Sequence, residues 1–243
     1  MNLIVEQGNT ATKIAVFSHG DMVFFSVYQD FGESDLICLF NQYPLRNGIL
    51  SSVTETKKEL VACLNNRLKC FYFFDERLRL PIDIQYQTPA TLGKDRIAAA
   101  VGAYFLQPGK DILVIDAGTA VTYEVVRASG IYIGGNISPG MTTRFQALNQ
   151  FTYQLPLVKE KEEVPLLGSS TETAILAGVV NGMVYEMDGN IDELRKKYPS
   201  LYVFLTGGHS FYFEKRLKNT IFAILNLVLI GLNRILEYNV KNQ

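Results

Sequence analysis

The sequence predicts an α/β fold of two related lobes, each with a mixed sheet flanked by helices. Two observations lead to this prediction: a strand, an acidic turn and a second strand open each half of the chain, and helical segments follow each copy. A chain of 243 residues, 48% apolar and 19% charged, can form two such compact lobes. We expect the boundary near Gly109, which gives lobes 1–109 and 110–243.

The first lobe is predicted to open with an antiparallel meander and to continue with alternating helices and strands. Its predicted strands are 3–5, 13–17, 22–28, 49–53 and 70–74, and its predicted helices are 35–42, 55–67 and 95–106. A carboxylate begins the last of these helices, and Pro108-Gly109 ends it. Its small residues permit close packing: Ala98, Ala99, Ala100, Gly102 and Ala103.

The second lobe repeats the opening pattern and then becomes mainly helical. Its predicted strands are 112–115, a following strand that ends at 126, 131–137 and 201–205, and its predicted helices are 141–149, 171–197 and two more after 208. The charged segment 152–168 is predicted to be an exposed loop. The apolar segment 221–232 is shorter than the roughly 20 residues that span a bilayer, and we expect a buried helix there.

Composition and charge argue against several classes of protein. The net charge is −1 and the basic clusters are short and scattered, so no nucleic-acid partner is expected. Three cysteines without a Cys-x-x-Cys pair, and only two histidines, argue against a zinc site and fit a reducing cytoplasm. The first residues lack the apolar core of a secretion signal. These features favour a cytoplasmic protein without a membrane segment.

The two opening segments align with each other. A shift of 110 positions places LIVEQGNTATKIAV at 3–16 over LVIDAGTAVTYEVV at 113–126. The shift pairs Glu6 with Asp116, Gly8 with Gly118, and Thr12 with Thr122. The match is short, but two similar strand-turn-strand units that open two halves are typical of a duplicated fold.

The first turn has the residue types of a phosphate site. Gly8, Asn9 and Thr10 offer closely approachable backbone with amide and hydroxyl donors, and Lys13 adds a cation. Glu6, at the end of the preceding strand, could reach Mg²⁺ through water, because this ion usually keeps several waters. Taken alone, the segment fits a plain polar turn equally well.

Two further turns repeat this chemistry in the second half. Asp116, Gly118 and Thr119 form the second copy. Thr206-Gly207-Gly208 follows an apolar strand, and its glycines would let backbone lie against an adenosine ring. Each turn alone is also a common strand-end connection. Together they favour an ATP-dependent small-molecule kinase whose site lies in a cleft between the lobes.

The segment Gly93-Lys94-Asp95-Arg96 contains the candidate base. Asp95 falls at a helix start, where the macrodipole favours an ionised carboxylate that can accept the proton of a substrate hydroxyl. The alternative is that Asp95 only caps the helix and that Arg96 lies on its surface. Three other interpretations stay open: Tyr86 fits packing or binding, segment 134–140 fits a tight turn or a pocket wall, and His209 fits a helix start better than a base.

Six segments, in order along nearly the whole chain, resemble the motifs of type III pantothenate kinases, a family of the acetate kinase, sugar kinase and actin superfamily. They are EQGNTATK at 6–13, YQTPATLGKDR at 86–96, DAGTAVT at 116–122, GGNISPG at 134–140, STETAILAG at 170–178 and TGG at 206–208. The resemblance implies a duplicated actin-like (ribonuclease H-like) fold. It also implies ATP-dependent phosphorylation of pantothenate to 4′-phosphopantothenate, the first step of coenzyme A biosynthesis.

The resemblance further implies a role for each matching residue. Asp95 would be the catalytic base, Asp116 would bind a monovalent cation, potassium or ammonium, and Glu6 would bind Mg²⁺. The residues implied in ATP binding are Glu6, Gly8, Asn9, Thr10, Lys13, Thr119, Gly207 and Gly208. The residues implied in pantothenate binding are Tyr86, Gly93, Lys94, Asp95, Arg96 and Thr171.

A homodimer is implied as well. The apolar helix at 221–232 and the small-residue face after Arg96 are candidate contact surfaces, although core packing would explain them equally well. Glu6 departs from the family's pattern, because the first phosphate motif normally begins with aspartate. The extra methylene moves the carboxylate about 1.5 Å toward the phosphates, a distance to which an octahedral Mg²⁺ shell is sensitive.

Two other functions remain open on the sequence. One is a sugar or acetate kinase of the same superfamily, since the phosphate motifs alone do not separate the substrates; the GKDR segment and Tyr86 argue against it. The other is a catalytically degenerate homologue that acts as a nucleotide-binding regulator, a possibility raised by Glu6. The sequence has no basic face or helix-turn-helix signature that would support binding to DNA.

Overall fold

The computed structural model describes residues 1–242, which form two compact units. The first unit comprises Met1–Leu106 and the C-terminal helix that begins at Leu227, and the second comprises Gln107–Asn226. The chain leaves the first unit close to the predicted boundary at Gly109. It returns at Leu227, because the last helix packs against the helix at Lys94–Leu106. The sequence had predicted that the last helix belongs to the second lobe.

Strands and helices alternate through most of the described chain. The strands are β1 Asn2–Gln7, β2 Thr12–Ser18, β3 Asp21–Tyr28, β4 Asn47–Ser52, β5 Cys70–Phe73, β6 Asp83–Ile84, β7 Ile112–Ala117, β8 Ala120–Val126, β9 Ile131–Pro139, β10 Tyr202–Thr206 and β11 Phe222–Ala223. The helices are α1 Glu33–Gln42, α2 Lys58–Arg67, α3 Lys94–Leu106, α4 Met141–Phe151, α5 Thr171–Lys197, α6 Ser210–Glu214 and α7 Leu227–Lys241, with a 3₁₀ turn at Pro89–Thr91. Across residues 1–242, none of the helices has the length and apolarity to cross a bilayer.

The sheet of the first unit has the strand order β3-β2-β1-β4-β5. The first three strands form the predicted antiparallel meander, and β4 and β5 run parallel to β1. Side chains alternate between the two faces of a strand, so Leu3 and Val5 join the buried cluster of α1 and α2 while Ile4 faces the other way. Helix α7 contacts β1 and β4, and the sheet is therefore a central layer between helices.

Helices α3 and α7 meet at backbone contact inside the first unit. A Cβ atom added at Gly102 would collide with the carbonyl oxygen of Leu227, and one added at Gly231 would collide with that of Ala98. The small residues of α3 thus let two helices approach each other more closely than larger side chains would permit. The small-residue face after Arg96 belongs to the core of this unit, which leaves core packing as its explanation.

The sheet of the second unit repeats the topology of the first. The five strands that the second unit contributes run in the order β9-β8-β7-β10-β11, with β7, β8 and β9 antiparallel and β10 and β11 parallel to β7. The same order and the same directions occur in β3-β2-β1-β4-β5. The predicted fold class, a duplicated α/β fold with two mixed sheets flanked by helices, is confirmed.

One face of the second sheet carries the hydrophobic core of its unit. Leu113, Ile115 and Leu205 point from the sheet into a cluster to which α4 contributes Phe145 and α5 contributes Met183. Ser170 caps the N-terminus of helix α5, because its hydroxyl accepts a hydrogen bond from the backbone N–H of Thr173 at 3.2 Å. The long helix therefore holds one face of the sheet that carries the second acidic turn.

Three sequence predictions in the second half need correction. The buried helix predicted at 221–232 begins only at Leu227, because Phe222–Ala223 pairs with β10 as a short parallel strand. The segment 152–168 forms no helix or strand, as predicted, but Val158 is buried in the core instead of lying on an exposed loop. The strand predicted at 131–137 is longer than predicted, because β9 continues to Pro139.

Candidate functional site

The first acidic turn joins β1 to β2 in the first unit. The backbone N–H of Gly8 donates to the carbonyl oxygen of Ala11 at 3.0 Å, which closes a four-residue loop. Asn9 and Thr10 lie exposed at its tip. The predicted phosphate-binding donors therefore face solvent at the end of a rigid hairpin.

Glu6 and Lys13 face each other at the base of this turn. They are opposite partners in the β1–β2 ladder, and Lys13 Nζ lies 3.0 Å from Glu6 Oε2. The Glu6 side chain is largely buried, while that of Lys13 is almost half exposed. Because a largely buried carboxylate without a partner is destabilising, we expect the ammonium group to turn to a phosphate only when a cation replaces it beside Glu6.

The second acidic turn joins β7 to β8 and is one residue shorter. The backbone N–H of Gly118 donates to the carbonyl oxygen of Ala120 at 3.0 Å, and Asp116 is paired with Thr122. The alignment by 110 positions therefore holds along β1 and β7 and then slips by one residue. As a result a threonine lies opposite Asp116, where the first hairpin has Lys13 opposite its acid.

The third turn lies directly against the second. Strands β7 and β10 are parallel, so their carboxyl ends meet at one edge of the sheet, and Thr206 is paired with Asp116. Gly207 has a φ of +93°, and a Cβ atom there would collide with Asp116 Oδ1 and the backbone of Ala117. The structure thus brings Asp116 and Gly207 into contact at this edge of the sheet.

Asp95 occupies the first turn of α3, as predicted. The helix begins with a hydrogen bond from the Ile97 N–H to the Gly93 carbonyl oxygen at 3.1 Å, and the Asp95 side chain is exposed. Its Oδ1 accepts the backbone N–H of Arg96 at 2.9 Å. A carboxylate held in this way keeps its other oxygen available for a substrate hydroxyl.

Arg96 and Tyr86 come together in the first unit. The guanidinium carbon of Arg96 lies 5.9 Å from the centroid of the Tyr86 ring, within the range of a cation–π contact. Arg96 is only 6% exposed, so the alternative interpretation that it lies on the helix surface is wrong. Its neighbour Lys94 lines a mainly apolar cavity of 290 Å³ together with Leu92 and Ile97.

Thr171 stands at the start of α5 in the second unit. It is exposed and lines a mainly apolar cavity of 760 Å³ between α4 and α5. Pro139 and Arg144 border the same cavity, so the segment 134–140 does contribute to a pocket wall. Lys94 and Thr171, both predicted to bind one substrate, therefore each line a cavity of their own unit.

Sequence reasoning missed a polar cluster around Glu186. Its carboxylate accepts hydrogen bonds from the hydroxyls of Tyr123 at 2.8 Å and Ser138 at 2.5 Å, and from Arg144 Nη2 at 2.5 Å. Burial alone would raise the pKa of the Glu186 carboxyl, but these three donors outweigh it and lower that pKa. Burial, together with the adjacent carboxylate, raises the pKa of the Tyr123 phenol, which stays a donor.

A weak sequence signal for this cluster exists. Glu186 is a charged residue that neighbours the buried Met183 and Met187 on α5, and a charge in such a place needs partners. Residues 144 and 186 are far apart in the sequence, however, and only the packing of α4 on α5 shows that they meet.

Each unit has one acidic residue at the end of a strand that could hold a cation. Gly207 packs so closely against Asp116 Oδ1 and the backbone of Ala117 that no side chain would fit at position 207. The single acids Glu6 and Asp116 supply hard oxygen ligands of the kind that Mg²⁺ and alkali cations prefer. Among residues 1–242 no three His, Cys, Asp or Glu side chains cluster.

Comparisons with solved structures agree with the fold. A Campylobacter jejuni protein, described as a candidate transcriptional activator of the Baf family, superposes with a TM-score of 0.63 at 21% identity over 98% of this chain and 99% of that one. A Sinorhizobium meliloti protein, described as a candidate 2-dehydro-3-deoxygalactonokinase, gives 0.60 at 12% identity over 97% and 98%. At these identities the likeness shows the actin-like and sugar-kinase fold alone.

Comparisons of sequence are more specific. The sequence profile of type III pantothenate kinases matches residues 2–193. A type III pantothenate kinase of Phocaeicola vulgatus is 49% identical over 241 residues, which cover 99% of this chain and 100% of the relative. Because the profile spans most of the chain and the relative matches it from end to end, the chain belongs to the type III pantothenate kinase family.

Proposed function

We propose that the protein transfers the γ-phosphoryl group of ATP to the primary hydroxyl of pantothenate, giving 4′-phosphopantothenate and ADP. The observation that carries the proposal is the match to the type III pantothenate kinases along nearly the whole chain. The hydroxyl oxygen forms a bond to the γ-phosphorus, the bond from that phosphorus to the ADP oxygen breaks, and the hydroxyl proton leaves. The reaction supplies the first intermediate of coenzyme A biosynthesis.

Asp95 takes the hydroxyl proton in this proposal. Its exposed carboxylate, fixed by the N–H of Arg96, is a group of the right kind in a defined position. General base catalysis by a positioned carboxylate contributes about 10²- to 10⁴-fold to the rate. The rest of the catalysis is positioning and neutralisation of phosphate charge.

The glycine turns hold ATP in this proposal. Gly8, Asn9, Thr10 and Lys13 contact the phosphates from the first unit, and Lys13 exchanges its bond with Glu6 for one with a phosphate oxygen. In the second unit the nucleotide contacts are Thr119, Gly207 and Gly208. Glu6 would hold Mg²⁺ through water and Asp116 would hold a potassium or ammonium ion; these cations neutralise phosphate charge when bound.

Pantothenate is bound by the segment around the base. Tyr86, Gly93, Lys94 and Arg96 come from the first unit, and a buried guanidinium such as that of Arg96 suits a carboxylate ligand. Thr171 adds a hydroxyl from the start of α5. Binding of pantothenate by these residues is what distinguishes this proposal from a sugar or acetate kinase.

We also propose a homodimer in the cytoplasm. Large apolar side chains of the second unit are exposed, among them Phe151 at 81% and Leu167 at 84%, and such side chains are typical of contact surfaces. The odd number of cysteines, Cys38, Cys63 and Cys70, and the lack of a Cys-x-x-Cys pair suit a reducing compartment. Sedimentation equilibrium at micromolar concentration tests the dimer, and a mass of one chain would contradict it.

Glu6 offers a specific test of the metal assignment. The Glu6→Gln variant removes the charge but keeps the shape, and we expect kcat/KM for ATP to fall about 10- to 100-fold, the value of one or two charge-assisted contacts. The Mg²⁺ concentration for half-maximal rate should rise with it. Glu6→Asp keeps the charge and should stay within about fivefold of the wild type. An unchanged Mg²⁺ dependence in Glu6→Gln would show that Glu6 takes no part in metal binding.

A substrate panel tests the proposed function. ADP release is measured with ATP and Mg²⁺ in the presence of pantothenate, a set of hexoses, or acetate, with potassium and with sodium as its replacement. We expect release only with pantothenate, and a much lower rate when potassium is absent. Activity confined to a hexose or acetate would point to another kinase, and nucleotide binding without any transfer would point to a regulator.

A further inference from the structure

The start of α4 is attached to the second acidic turn by two hydrogen bonds to one atom. The carbonyl oxygen of Thr119 accepts the backbone N–H of Gly140 at 2.9 Å and the hydroxyl of Thr143 at 2.8 Å. A carbonyl oxygen that accepts two hydrogen bonds is fixed in direction. The peptide that follows Thr119 is therefore oriented by α4, and with it the side of the turn that faces a ligand.

The position of α4 is set in turn by Arg144. Its Nε donates to the carbonyl oxygen of Pro139 at 2.7 Å, and its Nη2 donates to Ser138 at 3.3 Å and to Glu186 at 2.5 Å. One side chain thus ties the first turn of α4 to the end of β9 and to α5. Hydrogen bonds to charged partners are about twice as strong as neutral ones, so this connection is stiff.

Glu186 on α5 anchors this connection, and it is called the fixed end below. Its carboxylate also accepts the hydroxyls of Tyr123 and Ser138, from β8 and β9, so four elements meet at one side chain. The lowered pKa of its carboxyl keeps it charged at neutral pH, which preserves the pairing with Arg144. An apolar contact would be enough to pack α4 on α5, so this partly buried charged network indicates a need for a defined orientation.

We propose that Thr143 and the Glu186–Arg144 pair are positioning residues for nucleotide binding, which hold the Thr119 turn in its binding geometry. The proposal rests on the proposed function, in which Thr119 contacts ATP. Neither Thr143 nor Glu186 needs to touch the nucleotide. Their effect passes through the carbonyl oxygen of Thr119, and it should therefore appear in the affinity for ATP and leave the affinity for pantothenate unchanged.

Matched variants of Thr143 separate the hydrogen bond from the shape of the side chain. Thr143→Val keeps the shape and loses the donor, and we expect KM and Kd for ATP to rise about tenfold, the equivalent of one well-placed hydrogen bond. KM for pantothenate and the melting temperature should change little. Thr143→Ser keeps the donor and should restore ATP affinity to within about twofold of wild type.

Variants of α5 test the fixed end. Glu186→Gln keeps the shape but removes the charge that pairs with Arg144 and replaces one accepting oxygen with an NH₂ donor, so it should weaken ATP binding by a similar factor. The double variant Glu186→Gln with Thr143→Val should be weaker than wild type by less than the product of the single effects, because both act on one turn. Asp192→Asn removes a charge on the same helix that pairs with Lys218 at the surface, and it should leave ATP binding unchanged.

Two measurements make the outcome unambiguous. Steady-state kinetics with each substrate varied gives the two KM values, and calorimetry gives the Kd for ATP without any need for turnover. If the wild type binds ATP but does not phosphorylate pantothenate, while Thr143→Val weakens ATP binding, the proposed function fails and the positioning role stands. Equal ATP affinity in Thr143→Val and wild type, or equal losses for ATP and pantothenate, would overturn the positioning role, as would a wild type that binds no ATP.

Discussion

Replacing Asp95 with asparagine is expected to lower kcat for pantothenate phosphorylation by about 10²- to 10⁴-fold. The amide cannot accept the proton of the substrate hydroxyl, although its oxygen can still accept the N–H of Arg96 at the start of α3. The fold should therefore survive, with a melting temperature close to that of wild type. KM for pantothenate should change by no more than a few fold, because the shape of the side chain is kept.

A matched substitution elsewhere in the first unit controls for the chemistry of the change. Asp21 is an exposed aspartate at the start of β3, and Asp21→Asn should leave kcat within about twofold. Steady-state kinetics at saturating ATP, Mg²⁺, potassium and pantothenate measures both variants. Wild-type kcat in Asp95→Asn would mean that the base is another group, or that the substrate hydroxyl loses its proton to water.

Adding one methyl group at Gly231 is expected to destabilise the first unit by about 2–3 kcal/mol. The Cβ atom of Gly231→Ala would collide with the carbonyl oxygen of Ala98, a backbone atom that cannot rotate away. Helices α3 and α7 would have to move apart, which opens gaps in the core that they share. The loss should lower the melting temperature by about 4–12 °C for a chain of this size.

A glycine-to-alanine substitution in α5 should instead stabilise the protein. Gly189 lies exposed on α5 with open space around the position of a Cβ atom, so Gly189→Ala gains helix propensity, about 0.5–1 kcal/mol, without a clash. Differential scanning calorimetry of both variants compares the two sites directly. A Gly231→Ala protein as stable as wild type would show that α3 and α7 tolerate a wider separation, and the close packing would then have no energetic role.

Most of the fold could be predicted because its signals are local. Glycine and acidic residues mark the ends of strands, and runs of apolar residues identify the strands of the meander. The duplication shows in the order of residues around Glu6 and Asp116. The failures depend on tertiary contacts. Residues 221–226 read as helix but pair with β10 or lead into a turn, and the last helix joins the first unit because Gly231 matches the small face of α3.

The candidate site also contains residues that local sequence predicts and residues that only tertiary contacts bring together. The turn residues and Asp95 were predicted from residue types and spacing, and the structure places them at strand ends and at the start of α3; their roles stay predictions. The pairing of Lys13 with Glu6 follows from a hairpin register that is one residue longer than in the second copy, and an ungapped alignment conceals it. Glu186 and Arg144 could not be paired from the sequence, because their contact depends on how α4 packs on α5.

Detection of the phosphorylated product tests the central claim most directly. Wild-type protein is incubated with ATP labelled at the γ-phosphate, Mg²⁺, potassium and pantothenate, and the products are identified by mass spectrometry, with Asp95→Asn in parallel. We expect the label in 4′-phosphopantothenate, in an amount equal to the ADP formed, and almost none from the variant. Label that stays in ATP, appears only as free phosphate, or reaches product equally fast with Asp95→Asn would contradict the account.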